Sequence, residues 1–114
     1  MAVDLPKIPC VYAIRHVGTG KIYIGETSSL KVRIEAHLNA LRRGEHHVEQ
    51  FQYDYDHFGK EVDIFILGER KPGIEKLWFT VFKTTEKEFG YNYKEPGKRL
   101  KLDDFERIAT IEKE

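Results

Sequence analysis

Residues 10–16, CVYAIRH, alternate weakly between apolar and polar positions and are rich in strand formers. VGTGK follows, with two glycines, and then a second strand-like run over residues 21–24 that ends at Gly25. This pattern predicts a β-hairpin over 10–24. Thr27, Ser28 and Ser29 are candidate N-caps for a helix over 29–43, whose apolar stripe is Leu30, Ile34, Leu38 and Leu41 and whose stop is Gly44. A second helix is predicted over 47–57 from Val48, Phe51, Tyr55 and Phe58, closed by Gly59. Residues 61–67, EVDIFIL, alternate as a third strand. Pro72 and Gly73 then open a third helix with Ile74, Leu77, Trp78 and Val81 inward. From Pro96–Gly97 the chain is highly charged, with a short helix expected from Asp103. The order is ββααβα. It implies an α+β domain over residues 1–94, a small three-stranded, mainly antiparallel sheet flanked by helices, and a charged tail over 95–114.

The polar residues on these faces carry more information than the apolar ones. Stepping 100° per residue from Leu30, the stripe of the first helix falls between about 0° and 80°, Arg33 at about −60° and His37 at about −20°. His37 therefore lies inside the apolar face and Arg33 on its edge. An arginine there needs an anionic partner or a route for its head to solvent. On the third helix Glu75 falls at about 100° from Ile74, again at an edge, where a first-turn glutamate also favours the helix dipole. Tyr12 and Tyr23 belong to the hairpin, and tyrosines are ordinary strand residues.

Composition narrows the class without naming it. The chain has 114 residues, 40% hydrophobic and 33% charged, enough for one domain with a proper core. Nineteen basic and nineteen acidic residues cancel, which argues against a simple polyanion-binding module. Arg42–Arg43 and the group Lys94, Lys98, Arg99 and Lys101 are the local basic spots. A single cysteine, Cys10, excludes an internal disulfide and a multi-cysteine zinc site. The first residues show no signal-peptide or membrane-span pattern, and a cytoplasmic or otherwise intracellular location with no membrane partner is expected.

Together the quoted segments resemble the GIY-YIG nuclease family. CVYAI, then KIYIGET, then LKVRIEAH resemble its signature; LRRGEHHVEQFQYDYDHFGK, GIEKLWF and FGYNY resemble its later segments. The resemblance runs from Val11 to Asn92. It departs from the family at Cys10, which stands where the family name has glycine. The resemblance implies catalytic roles for Tyr12, Tyr23, Arg33, His46, Glu75 and Asn92, with Glu75 as the metal ligand and His47 adjoining His46 as the alternative histidine. Gly25, His37, His47, Arg42 and Arg43 are the expected substrate-side residues.

The implied chemistry suits these residue types. A Mg2+ or Mn2+ ion on one carboxylate and water can offset charge on a phosphodiester. An arginine fork pairs with phosphate oxygens as charge builds. A tyrosine, with a free pKa of about 10, becomes a plausible base only beside a metal and an arginine. Tyr12 is the expected base, with Tyr23 and His46 assisting. The expected function is a divalent-metal-dependent endonuclease acting on DNA, alone, as a homodimer or with a partner protein that supplies recognition. The alternative is a catalytically silent module of the same fold that binds nucleic acid or protein. Its mark would be loss of Arg33 or Glu75, and both are present.

Overall fold

The computed structural model describes residues 5–69 and 106–111. Among these the chain forms β1 (Cys10–His16), β2 (Ile22–Thr27), α1 (Leu30–Arg43), α2 (Glu49–His57), β3 (Val62–Gly68) and β4 (Glu106–Ile111). The expected third helix, with Glu75, and Asn92 beyond it lie outside the described residues.

The sheet is antiparallel throughout, in the order β2-β1-β3-β4, which bears out the α+β class with helices on the sheet. Among the described residues it has four strands rather than the expected three. The added strand is β4, where the tail was expected to be helical. Ile108, Thr110 and Ile111 are β-branched and favour a pleated surface, and Asp63 pairs with Thr110 across the ladder. Charge density hid that signal.

The hairpin closes as expected, with Gly20 at φ 74° and its N–H donating to the His16 carbonyl at 2.7 Å. β2, however, runs on through Gly25 to Thr27. Gly25 sits opposite Tyr12, and a Cβ there would lie 2.5 Å from the Tyr12 hydroxyl oxygen. The bare backbone therefore makes room for a ring and does not end the strand.

The start of α1 also differs from expectation. Ser29 occupies the N-cap position without a side-chain capping bond. Carbonyls of the N-terminal segment cap the helix instead: Leu30 N–H donates to Ile8 at 3.0 Å and Lys31 N–H to Pro6 at 3.1 Å. The other end follows the sequence. Gly44 is left-handed, and Gly44 and Glu45 donate to the carbonyls of Leu41 and Ala40.

The apolar stripes of both helices meet one face of the sheet. Leu30, Ile34, Leu38, Leu41, Val48, Phe51 and Tyr55 pack with Cys10, Tyr12, Ile14, Val62 and Ile64 in one buried cluster. Phe58, expected on the inner stripe, is 55% exposed, because α2 ends at His57 and the chain turns at Gly59. No helix among the described residues is long and apolar enough to cross a membrane.

Candidate active site

Tyr12 brings a hydroxyl into that cluster. Its hydroxyl reaches α1 and meets His37 Nε2 at 2.7 Å. His37 sits on the inner face of α1, as its angle predicts, and is buried. Its other nitrogen, Nδ1, meets Nε2 of His46 at 2.8 Å. His46 lies in the connection between the helices, and its Nδ1 accepts the Val48 backbone N–H at 3.1 Å. Gln52 on α2 holds this connection: its Oε1 accepts the His46 N–H at 3.0 Å, and its Nε2 donates to the Leu41 carbonyl at 2.9 Å.

Burial first, and then the nearby His46, His47 and Arg33, push the His37 ring down from its ordinary 6.5 to about 3. Burial, followed by His47, pushes His46 down to about 4. An attraction of the ring to the Val48 backbone would act the other way. The backbone atom facing Nδ1 is an amide N–H, however, and a donor opposes protonation of that nitrogen. Both rings are neutral at physiological pH.

Around this chain lie the remaining candidates. Tyr23 of β2 is partly buried, with its ring centroid 4.9 Å from His37 and 6.4 Å from Tyr12. His47 is exposed and stacks on His46 at 4.7 Å, which separates the two adjacent histidines: His46 joins the buried chain, and His47 covers it. Arg33, His37, His46 and His47, with Ala36 and Ala40, line a small depression of about 90 Å³. Arg33 is exposed at its rim and forms no ion pair with a described residue. Among the described residues, the internal salt bridge that an edge arginine invites is not made.

Other expected residues lie around or outside this depression. Arg42 and Arg43 are exposed at the end of α1, outside the depression, and Arg43 pairs with Glu45 at 3.6 Å. Gly25 lies against the Tyr12 ring, which a side chain there would crowd. His37, with both nitrogens engaged, stands behind the surface. Cys10, the departure from the family name, is 1% exposed in the core, and burial raises its thiol pKa. Its side chain is apolar packing. Sequence reasoning missed the Val48 amide, which no side chain announces, and Gln52, whose only signal is a polar residue between the buried Phe51 and Tyr55.

Among the described residues no group of three or more His, Cys, Asp and Glu side chains could hold a metal ion. The nitrogens of His37 and His46 are consumed in hydrogen bonds, so neither of these two rings is open to a metal. A hard divalent ion bound through a carboxylate and water is compatible with it.

The GIY-YIG catalytic domain family model matches residues 8–101, and the chain belongs to that family. A comparison with curated proteins gives no match. Among solved structures, the catalytic domain of the homing endonuclease I-TevI superposes with a TM-score of 0.65 at 22% identity, covering 76% of this chain and 99% of that one. A mutant of the same catalytic domain, described as that of an intron endonuclease, gives 0.62 at 21% identity, covering 79% and 97%. At these identities the likeness is one of fold.

Proposed function

We propose that this chain is a divalent-metal-dependent endonuclease that hydrolyses DNA phosphodiester bonds. The observation that carries this reading is Arg33: an exposed guanidinium, unpaired among the described residues, at the rim of a depression backed by neutral rings. A cation held beside uncharged groups suits an anionic substrate oxygen. Family membership and the endonuclease domains that share the fold support the same class.

Arg33 pairs with a phosphate oxygen through its planar fork, most strongly as negative charge accumulates. Tyr23, partly exposed, faces the incoming group and takes or orients the proton of the attacking water. Tyr12, 1% exposed, stands behind it and positions the site, so the base assignment moves from Tyr12 to Tyr23. Glu75 is the residue that would hold Mg2+ or Mn2+, which when bound supplies Lewis-acid stabilisation of the phosphate and leaving oxygen. Asn92 completes the set. With zero net charge, grip on DNA comes from local contacts, a second copy of the chain or a partner protein.

The test is cleavage of supercoiled, linear, branched and single-stranded DNA, with Mg2+ and with chelator. The expected result is metal-dependent cleavage by the parent and none by Glu75→Ala, with equal melting temperatures. DNA binding without cleavage under any divalent metal would instead favour the silent module.

A further inference from the structure

The hydrogen bonds behind the depression have a direction, set by a single backbone atom. A backbone N–H can only donate, so His46 Nδ1, facing the Val48 amide at 3.1 Å, must carry no proton. The neutral His46 ring then has its proton on Nε2. That N–H points at His37 Nδ1, 2.8 Å away, which must therefore accept. The His37 proton is thereby placed on Nε2, 2.7 Å from the Tyr12 hydroxyl oxygen. A charged form of either ring would set two N–H groups against each other along this line. The geometry alone fixes both tautomers, and the depressed basicity of both rings agrees with it.

We propose that the Val48 amide sets a one-way relay, Val48 N–H to His46 Nδ1, His46 Nε2–H to His37 Nδ1 and His37 Nε2–H to the Tyr12 oxygen, which makes His46 and His37 positioning residues for Tyr12. This rests on the reading of Tyr12 as part of the nuclease site. Its consequence there is specific. The Tyr12 oxygen is committed as an acceptor toward α1, so its own proton is directed away from the histidines, and neither histidine can take it up without reversing the whole line. His46 is thereby a support rather than a base. A donor that already accepts a hydrogen bond is also a stronger donor in turn, so the relay polarises Tyr12 toward its other neighbours.

The charged and titratable groups facing the two rings, among the described residues, are Tyr12 on β1, Tyr23 on β2, Arg33 on α1 and His47 in the connection. None of them supplies a carboxylate, so nothing described favours a charged imidazole.

Long-range 1H–15N NMR of the parent protein reports directly which ring nitrogen carries the proton. Both His37 and His46 are expected in the Nε2–H form from pH 8 down to about 5. An Nδ1–H or doubly protonated form of either ring at neutral pH would overturn the relay. Val48→Pro removes the direction-setting N–H while keeping an apolar residue at the start of α2, where proline is tolerated. In that variant His46 should lose its fixed tautomer, while burial still holds its ring neutral. If the tautomers of a folded Val48→Pro protein are unchanged, Val48 does not set the direction. Val48→Ala, which keeps the amide, should retain both tautomers; their loss in this second variant would likewise sink the idea. Val48→Pro should also cut cleavage about tenfold at unchanged KM, the scale of one hydrogen bond. The NMR measurement needs no substrate, so an inactive parent would sink the nuclease reading and leave the relay decided.

Discussion

The two ends of β1 hold polar groups in opposite ways. Toward its end, Arg15 donates to Asp63 at 2.8 Å, lies over the Phe65 ring at 5.0 Å, and shares Asp63 with Thr110, whose hydroxyl donates at 2.6 Å. His16 beside it donates through Nε2 to the Gly59 carbonyl at 2.7 Å and accepts the Thr19 N–H at Nδ1. Charges there are matched, and the histidine is tied to backbone and a hydroxyl. Near its start, Tyr12 leads through two neutral histidines to a backbone amide, and the neighbouring cation, Arg33, is matched by no described carboxylate. Burial demands satisfied polar groups at both ends. A closed set of opposite charges stabilises the fold; a neutral set beside an open cation leaves that cation for something from outside.

Exchanging arginines breaks the comparison most sharply. Arg33→Ala should lower cleavage by ~10²-fold or more with little change in melting temperature, and Arg33→Lys should recover only part, because an ammonium lacks the planar fork. Arg15→Ala should do the reverse: stability falls by about 2–3 kcal/mol, since Asp63 stays buried without its main partner, while activity per folded molecule is kept. Denaturation curves and single-turnover cleavage on both variants decide it, and a cleavage loss confined to Arg15→Ala would place the site at the wrong end of the strand.

The tyrosines come next. Tyr23→Phe should reduce cleavage by ~10²-fold and remove the rise of rate with pH, as loss of a proton acceptor does. Tyr12→Phe should lower the rate and keep the pH dependence, at a stability cost of about 1 kcal/mol for its hydrogen bond. A pH–rate profile of each, with metal saturating, exchanges the two roles if the outcomes are reversed.

Gly25→Ala sets a methyl against the Tyr12 ring. Overpacking of this kind should cost about 1–3 kcal/mol and reduce cleavage by displacing Tyr12. Gly20→Ala, where no atom lies within 4 Å but φ is 74°, should destabilise by backbone strain and leave activity per folded molecule unchanged.

The two buried histidines add a pH signature. His37 and His46 titrate at about 3 and about 4 when folded and near 6.5 when unfolded. Between those values the unfolded chain binds more protons, so stability falls as pH drops from about 6.5 toward 4 and this contribution levels off below about 3. Denaturant midpoints at neutral and acidic pH should show the loss, and His37→Gln should make it shallower. A slope unchanged by His37→Gln would mean that His37 is not held neutral.

Local pattern determined the hairpin, both described helices with their stripes apart from Phe58, the third strand and the Gly44 stop, because period and turn chemistry are written within a few residues. It also set Tyr12, Tyr23, Arg33, His37 and His46 within reach of one hairpin-to-helix junction. Family resemblance, rather than periodicity, marked them as a group. Tertiary structure alone decided the rest. β4 is a strand because β3 offers it an edge, which no local count of charges in the tail foretells. Gly25 matters because Tyr12 lies across the ladder from it. His37 and His46, nine positions apart in the chain, become one line only when the connection folds over α1 and points the Val48 N–H at a ring. A side chain's identity is encoded at its own position; the direction of a hydrogen bond depends on which atom the fold brings to face it.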